Sequence, residues 1–382
     1  MKKNLVFLFM VFLCGCASAP TNENNADDFA VVDLSQIADK NRKVDEIVDS
    51  LQIIKFEMTD KSLLSDMLKI ELGDNFIYVL DRSANALKIF TLNGDFHKDI
   101  SQGRGPGEVM FPSVVRYVAS EKKLYVYQDG LINCYTEDGL FIRNYEIPYL
   151  VDDFVKVGEN YVCFQFAGRS MSQQTTMMEI APDMNVVSSL TLEQSRLEYG
   201  MNNMSINYKG GINVFRPLDN NIYTFKNGKF LVSKQLDFNC PDYDLSSLES
   251  DHDYRGFDKY AVNHPEIFSL SDFYNETADY EMYRVTRGSM LNLKTVFRNK
   301  KNGELFETIS ESNPKPSIIN NLNFVGAYKD YFVAYCSFYA VNGIFDHVAD
   351  NELSMKADDV EIFKNMTEED NPILVLVKLK NN

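Results

Sequence analysis

Six residues of this chain have a charged or hydroxyl side chain in a position that could serve ligand binding. They lie at the end of a strand-like run, inside a strand-like run, or in a glycine-rich loop. Arginines, carboxylates and tyrosine hydroxyls supply the donors and acceptors that orient a polar ligand in a pocket. We therefore take these residues as ligand-binding candidates: Asp81, Arg82, Arg104, Glu108, Arg116 and Tyr117.

Signatures of catalysis and metal binding are weak in this sequence. The histidines near Asp251-His252-Asp253 and at His264 have no spacing typical of a zinc site, so we expect no metal and no cofactor. We find no Gly-x-Ser-x-Gly nucleophile motif and identify no catalytic residue. Adjacent acids such as Asp152-Asp153 are common in an acidic chain, and we expect them to lie on a solvated surface.

The loop Gly103-Arg-Gly-Pro-Gly-Glu108 superficially resembles a phosphate-binding loop, but it lacks the Gly-Lys-Ser/Thr ending and opens no helix. A structural role is favoured, in which Gly103, Gly105 and Gly107 allow positive φ and close approach while Pro106 stiffens the turn. Arg104 and Glu108 remain ligand candidates because such a loop would lie at one mouth of a ring.

A diverged repeat organises the chain around these residues. The run Phe76-Ile-Tyr-Val-Leu-Asp81 is echoed 48 positions later, from Leu124 to Asp129, and the turn at Asn93-Gly94 is echoed at Asp138-Gly139. Asn-Gly and Asp-Gly between strands predict tight hairpins with both turn residues at positive φ. A β-type period of 40–50 residues predicts propeller blades of four strands.

The repeat predicts an all-β, six-bladed β-propeller with four-stranded antiparallel blades over residues 45–382. The predicted blades span 63–100, 111–148, 151–193, 205–238 and 268–310, and the sixth joins 318–345 to Ile373–Leu379, with the strand at 51–56 pairing nearby. An insertion is predicted at about 239–267 and an amphipathic helix at about 354–369.

On this fold Asp81 and Arg82 end an inner strand and could face the central channel, although an exposed turn pair is the alternative. Arg116 and Tyr117 lie on the first strand of the second blade. Innermost strands line the channel, so both could bind a polar ligand, or one of them could merely fill the channel.

The composition of the chain limits the kinds of partner that the protein can bind and the fold that it can adopt. The chain has 382 residues and a net charge of −17, so we expect no binding to nucleic acid or anionic lipid headgroups. The 21 Tyr and 27 Phe, with no Trp, favour β-structure. Cys134, Cys163, Cys240 and Cys336 have no paired spacing; we expect buried free thiols for those within strands, although a disulfide stays open.

The N-terminus predicts export. Lys2 and Lys3 precede an apolar run from Leu5 to Leu13, which is too short to span a bilayer but typical of a secretory signal over residues 1–15. Leu13-Cys14-Gly15-Cys16 resembles the lipobox of bacterial lipoproteins, which implies cleavage before Cys16 and its lipidation. Residues 16–44 would then be a flexible tether. An outer-membrane location follows, facing either the periplasm or the cell surface.

The blade pattern together with Gly103-Arg-Gly-Pro-Gly-Glu-Val-Met-Phe-Pro112 resembles the six-bladed β-propeller lipoproteins of Bacteroidetes, which are related to NHL-repeat propellers. The resemblance covers roughly residues 45–382 and implies fold and location. It implies little chemistry.

Three hypotheses of function follow. The leading one is a monomeric, membrane-anchored binding or scaffold propeller for a peptide, a glycan or a partner protein. The alternative is a hydrolase or lyase with its active site in the channel. Convergent polar groups with shifted pKa values at one mouth would favour the enzyme, and an aromatic or apolar shelf would favour a binding module. A large apolar surface patch would instead indicate a structural subunit of an envelope complex.

Overall fold

Six β-sheets follow one another around a central channel, and each sheet is one blade of a propeller. The first strand of each blade is innermost, and neighbouring innermost strands contact each other all the way around the ring. This computed structural model describes residues 29–37, 47–65, 67–166, 174–192, 197, 204–207, 209–248, 253–307, 322–341 and 357–381. The predicted all-β six-bladed fold is confirmed.

The strands are numbered in chain order. Blade one contains β3 (Met67–Leu72), β4 (Phe76–Asp81), β5 (Ala86–Thr91) and β6 (Phe96–Ile100). Blade two contains β7 (Val114–Val118), β8 (Lys123–Gln128), β9 (Leu131–Thr136) and β10 (Phe141–Glu146). Blade three contains β11 (Asp153–Val157), β12 (Asn160–Gln165), β13 (Thr176–Ile180) and β14 (Val186–Thr191).

The second half of the ring is less regular in strand length. Blade four contains β15 (Met204–Ile206), β16 (Ile212–Val214), β17 (Asn221–Lys226), β18 (Lys229–Asp237) and, on its outer edge, β1 (Ala30–Asp33). Blade five contains β19 (Phe268–Glu276), β20 (Tyr280–Arg287), β21 (Ser289–Asn299) and β22 (Leu305–Glu307). Blade six contains β23 (Asn323–Tyr328), β24 (Tyr331–Cys336), β25 (Ile373–Leu379) and β2 (Val48–Lys55).

Blade six joins the two ends of the domain, as predicted. β25 pairs with β24 on one side and with β2 on the other, both antiparallel. Ile373, Val375 and Val377 are buried on this strand. The early strand therefore forms the outer edge of the last blade, which closes the ring.

The strand β1 was not predicted. It pairs in parallel with β18, with Val32 opposite Leu236, and Val32, Leu34 and Ile37 are buried against blade four. The prediction of a flexible tether through residue 44 is therefore wrong for residues 30–37, because alternate apolar side chains give this segment a face that packs on the blade. Residues 1–28, with the predicted signal and Cys16, lie outside the described residues.

The turn at Gly94 differs in detail from the prediction. Gly94 has φ of 93°, but Asn93 is not among the residues with positive φ. The amide of Gly94 donates to Thr91 O at 3.0 Å and the amide of Thr91 donates to Asp95 O at 2.9 Å, so the loop is longer than two residues. An added Cβ at Gly94 would lie 2.1 Å from Lys55 O, so glycine is required by the close approach of blade six.

The core is divided among the junctions of the blades. Six hydrophobic clusters each join side chains of neighbouring blades within the described part of the chain. At the junction of blades five and six, the ring of Phe297 lies 5.4 Å from Phe324 and 5.2 Å from Phe332, centroid to centroid. The abundant aromatic residues thus bind one blade to the next.

The insertion and the late helix are both present. The insertion contains a short 3-10 turn (Leu245–Ser247) and the helix α1 (Tyr254–Val262), which begins where the Asp253 side chain accepts from the Gly256 amide. Two short helices follow, α2 (Phe338–Val341) and α3 (Ala357–Lys364). Cys134, Cys163 and Cys336 are buried free thiols as expected, whereas Cys240, also free, is half-buried.

Candidate functional site

Polar side chains line the channel from the innermost strands. Side chains alternate between the two faces of a strand, so Lys69 and Glu71 lie on the same face of β3. Arg116 occupies the middle of β7, Asp153 begins β11 and Ser205 lies in the middle of β15. These four strands belong to blades one to four, so the ring brings together residues that are far apart in sequence.

Asp153 is the centre of a charged network. Its carboxylate is fully buried and accepts hydrogen bonds from Lys69 Nζ at 3.1 and 3.2 Å and from Arg116 Nη2 at 2.8 Å to each oxygen. The amide of Phe154 also donates to Asp153 Oδ1 at 2.9 Å. One carboxylate thus pairs with two cations from two other blades.

The guanidinium of Arg116 is held on three sides. Nε donates to Phe154 O at 2.9 Å, and Nη2 also donates to Met204 O at 3.1 Å. Nη1 faces Glu71 Oε2 at 3.8 Å, which is longer than a hydrogen bond. The arginine therefore fixes blades three and four to blade two while one of its nitrogens keeps its donors available.

Burial shifts the pKa values of this cluster. Burial, together with the nearby Arg116 charge, lowers the pKa of Lys69 to about 8, against the opposing effect of Asp153 and Glu71. Burial raises the pKa of the Glu71 carboxyl, although Arg116 and Lys69 favour its charged form. For Arg116, burial opposes the charge, but Asp153 and Glu71 outweigh it and raise the pKa. Lys69 and Glu71 can consequently change protonation closer to neutral pH than usual.

A cavity of about 310 Å³ opens onto this network. That volume lies at the lower end of the range of roughly 300–1,000 Å³ for small-molecule pockets. The lining comes from five blades, since Lys69, Arg116, Ser205, Asn275 and Val325 all contribute. The cavity is therefore a property of the closed ring and not of any single blade.

Ser205 is unusual within this cavity. The residue is buried, and its Oγ has no hydrogen-bond partner among the described residues. A buried hydroxyl without a partner costs about 1–3 kcal/mol. Asn275 on β19 also lines the cavity, and its side-chain amide has both hydrogen-bond donors and an acceptor. Both side chains can therefore bind a polar group that enters the cavity.

The wall from blade six is apolar. Val325, Gly326, Ala327 and Tyr328 on β23 line the cavity together with Val333 on β24. The Tyr328 hydroxyl donates to Gly73 O at 3.2 Å, which fixes the ring at the junction with blade one. The cavity thus combines convergent polar groups, expected for an enzyme, with an apolar, partly aromatic wall, expected for a binding module. Because both features are present, they do not by themselves distinguish the two functions.

Of the six sequence-derived candidates, Arg116 is the one that lines this cavity. Tyr117 is its neighbour on β7 and points to the other face of the strand, where its hydroxyl donates to Asp74 Oδ2 at 3.1 Å and Glu137 Oε2 at 3.2 Å. Its ring stacks on Tyr78 with centroids 5.8 Å apart. Tyr117 therefore lies at the junction of blades one and two.

Asp81 and Arg82 do not face the channel. The run Phe76–Asp81 is β4, the second strand of blade one, so its assignment as an inner strand is wrong. Asp81 is buried and accepts from the amides of Ser65 at 2.9 Å and Ala84 at 3.1 Å, whereas Arg82 is exposed. The carboxylate organises the turn after β4, so the alternative of an exposed turn pair holds only for Arg82.

In the crossover loop, Gly107 is the glycine whose backbone conformation and close approach a larger residue could not adopt. Gly107 has φ of 80°, and an added Cβ there would lie 2.5 Å from Phe141 Cβ. Positive φ is not used at Gly103 or Gly105, so that part of the expectation is wrong; both instead face the Glu108 carboxylate, which accepts from the Gly105 amide at 2.6 Å. Arg104, Pro106 and Glu108 are exposed, and none of them lines the cavity described above.

No group of three or more His, Cys, Asp or Glu side chains could hold a metal ion among the residues that the structure describes. His264 lies on the insertion, where Nδ1 is 3.0 Å from Glu266 Oε1. His97 is exposed on β6, and His252 lies outside the described residues. The histidines that the structure shows are therefore distant from the channel strands.

Lys69, Glu71, Asp153 and Ser205 were missed by sequence reasoning. Asp153 was expected on a solvated surface as one of an acidic pair, and this is wrong because it begins an innermost strand and is fully buried. A signal was present in Met67-Leu-Lys-Ile-Glu-Leu72, where charged and apolar residues alternate as they do on a strand with one polar face. Nothing in the sequence around Ser205 marks it.

The closed ring of six four-stranded sheets, with a polar cavity at its centre, defines this protein as a six-bladed β-propeller. The chain belongs to the family described as a domain of unknown function, DUF4934, whose model matches residues 29–378. No curated protein matches this chain. No helix of the described residues is long and apolar enough to cross a membrane.

The chain is similar to several solved structures, one of them with a TM-score above 0.5. A Bacteroides fragilis protein inferred to be exported has 15% identity and a TM-score of 0.71, and the match covers 92% of this chain and 100% of that one. A member of the DUF4221 family from Bacteroides vulgatus has 10% identity and a TM-score of 0.48, covering 87% and 97%. Virginiamycin B lyase of Staphylococcus aureus, bound to quinupristin, has 9% identity and a TM-score of 0.42, covering 86% and 99%.

Proposed function

We propose that this protein is an exported binding propeller whose central cavity takes a small polar molecule or the end of a peptide or glycan. The observation that carries the proposal is the cavity of about 310 Å³ in which the buried Ser205 hydroxyl has no hydrogen-bond partner among the described residues. A site that leaves such a group unpaired when empty gains a hydrogen bond when a ligand enters.

The lining also supports a ligand with two faces. Lys69, Arg116 and Asn275 offer hydrogen-bond donors on one side, while Val325 and Tyr328 offer an apolar surface on the other. Small-molecule sites commonly combine a few polar groups that fix orientation with a larger apolar wall.

The test blocks the cavity without disturbing the ring. An added Cβ at Gly326 meets no atom within 4 Å and its φ is not positive, so Gly326→Leu extends a side chain into open space at the cavity wall. The purified wild-type and variant proteins are screened by thermal shift and calorimetry against neutral and acidic monosaccharides, amino acids and dipeptides. We expect at least one compound that raises the Tm of the wild type and not of Gly326→Leu.

Arg104→Ala is the matched control, because Arg104 is exposed and does not line the cavity. It should bind the same compounds as the wild type. Compounds that bind wild type and Gly326→Leu equally would contradict a site in the channel, and would instead favour a partner on the outer surface of the ring.

An enzyme is the second candidate, because Lys69 and Glu71 have pKa values shifted toward neutrality within the same cavity. Such groups serve in acid–base catalysis by hydrolases and lyases. Each compound that binds is therefore incubated with the protein and recovered for mass spectrometry. A binding module returns it unchanged, whereas a product formed by wild type and not by Gly326→Leu would establish catalysis.

We also propose that the protein is a lipoprotein of the cell envelope, anchored in the outer membrane through Cys16. The lipobox-like sequence supports the anchor, and the structural similarity to a Bacteroides protein inferred to be exported is in keeping with it. Cys16→Ala should move the protein from the membrane fraction to the soluble fraction. If the variant stays with the membranes, the anchor is not at Cys16.

A further inference from the structure

We propose that the ligand carries a single carboxylate group, which binds in the channel against Lys69, Arg116 and Ser205. This inference rests on the proposed function, since it names the chemical class that the central cavity recognises. Three donors from three blades line one cavity, and each keeps hydrogen-bonding capacity within the described part of the chain.

The donors of Arg116 can be counted. A guanidinium has five N–H groups. Nε is used by Phe154 O, and the two of Nη2 serve Asp153 and Met204 O. The two on Nη1 make no hydrogen bond to the described residues, where the ion-pair partner Glu71 Oε2 lies 3.8 Å away, so they can bind an oxygen that enters the cavity.

Lys69 and Ser205 complete the donor set. The ammonium group of Lys69 has three N–H groups, and among the described residues its hydrogen bonds go to the two oxygens of a single acceptor, Asp153. At least one N–H is therefore left over. The Ser205 hydroxyl has no partner at all among the described residues, and Ser205 directly follows Met204, whose carbonyl is bound by Arg116.

The local charge favours one negative charge on the ligand. Lys69 and Arg116 face Asp153 and Glu71, so the empty cluster is balanced if both acids are ionised. Burial raises the pKa of the Glu71 carboxyl, and a shift in that direction reduces the repulsion that an anionic ligand would meet from this acid. A dianion such as phosphate would instead lie close to the buried carboxylate of Asp153, which disfavours it.

The remaining charges of the cavity do not compete for the ligand. Glu276 of β19 contacts Lys300 Nζ at 2.5 Å and Lys234 Nζ at 3.4 Å. Lys329, after β23, lies over the Tyr328 ring at 4.7 Å from its centroid. The acid of blade five is therefore neutralised by its own partners, and the carboxylate-binding end of the cavity is at blades one, two and four.

A carboxylate of this kind can come from a sugar acid or from the end of a peptide. Two matched pairs distinguish the sources: glucuronate against glucose, and N-acetylglycine against N-acetylglycinamide. Within each pair the rest of the molecule is constant, and a neutral group replaces the carboxylate. We expect the acid of at least one pair to bind with at least tenfold lower Kd than its neutral partner at pH 7, measured by calorimetry on the purified full chain.

Ser205→Ala is the most informative variant. It removes a hydroxyl that has no hydrogen-bond partner among the described residues, so stability should be unchanged or higher. We expect it to weaken binding of the acid about threefold to tenfold and to leave the Tm without ligand intact. Lys69→Met, which keeps an unbranched side chain but removes the ammonium group, should reduce the preference for the acid further, and Arg104→Ala should change neither value.

Proton linkage gives a signature that a structural role would not produce. A carboxylate beside Lys69 stabilises its ammonium form, so binding near pH 8 should take up a fraction of a proton, and Kd should rise up to about tenfold from pH 7 to pH 9. Calorimetry in buffers of different ionisation enthalpy measures this uptake. It should vanish in Lys69→Met.

The outcomes separate the two proposals. Equal binding of acid and neutral partner, or tighter binding of phosphate or sulfate, overturns the carboxylate and leaves the channel site in place. Acid binding that survives Gly326→Leu overturns the placement of the carboxylate in this cavity. If no compound of the wider library binds in a Gly326-dependent way, the proposed function fails and this inference fails with it.

Discussion

The wall of the channel and the perimeter of the ring use charged residues in different ways. In the channel, Asp153 is fully buried and pairs with Lys69 and Arg116 from two other blades. At the perimeter, Glu108 is exposed and accepts from Gly105 three residues away in the same loop. The channel charges join distant segments, whereas the perimeter charge shapes a local turn.

This difference shows that the stretch with the most recognisable sequence motif is not the region that carries the candidate site. The perimeter loop carries the most distinctive motif of the chain, and its glycines serve backbone geometry. The channel cluster has no motif, because its members come from four different blades. In a ring of this kind the functional site is assembled from several repeats. A short motif within one repeat is therefore more often a requirement of the fold than a part of the site.

The largest effect should come from removing the central carboxylate. Asp153→Asn leaves two buried cations without their counter-ion, and breaking a buried pair in this way costs about 3–5 kcal/mol of unfolding free energy. Glu108→Gln is the matched acid-to-amide change at the perimeter and should cost less than about 0.5 kcal/mol. Urea denaturation compares them, and equal losses would remove the distinction between channel and perimeter.

A smaller loss of unfolding free energy is expected at β1, where apolar side chains pack on the outer edge of blade four. Leu34 follows β1 and is buried, so Leu34→Ala should reduce the unfolding free energy by about 2–3 kcal/mol. Val31→Ala is the control on the same strand, because Val31 is 60% exposed. If both changes are neutral, β1 contributes nothing to the stability of blade four.

The next smaller loss of unfolding free energy is expected in the glycine-rich loop. Gly107→Val combines positive φ with a contact to Phe141, and we expect a loss of about 2 kcal/mol. Gly105→Ala should cost less than about 1 kcal/mol, since its φ is not positive and the nearest atom is the flexible end of Glu108. The reverse order in Tm measurements would contradict the assignment of Gly107 as the strained position.

The smallest effect concerns pH. Glu121 is partly buried, which opposes its charge, but hydrogen bonds from Lys156, Tyr125 and Lys123 outweigh burial and lower its pKa to about 2 from an ordinary 4.5. Its stabilisation is therefore fully present above pH 4.5 and lost as the pH falls toward 2. Glu121→Gln should cost about 1 kcal/mol at pH 7 and nothing near pH 2. A difference that is constant with pH would contradict the pairing.

The fold was largely predictable, because hairpin turns and aromatic strands recur along the chain. The position of strands within a blade was not. β4 is buried on both faces and reads as a strong apolar run, so Phe76–Asp81 seemed innermost. The true innermost strand, β3, carries Lys69 and Glu71 toward the channel and looks less strand-like. β1 escaped detection because it has only four residues.

The candidate site was predictable only in part. Arg116 was found because the first strand of a blade must line the channel, and the same argument applied to β3 and β11 would have found Lys69 and Asp153. Ser205 could not be found, because its importance lies in having no hydrogen-bond partner within the part of the chain that the structure describes. That absence depends on how β15 packs against its neighbours in three dimensions.

Blade six has a consequence for the order of events during synthesis. β25 lies between β24 and β2, so β2, near the start of the domain, must wait for β25 near the end of the chain before it can pair. Pairing over so long a sequence separation is slow. Until the C-terminal segment has emerged, blades one and five expose their apolar flanks, and a ribosome that stops early releases an open, aggregation-prone arc instead of a shortened but functional ring.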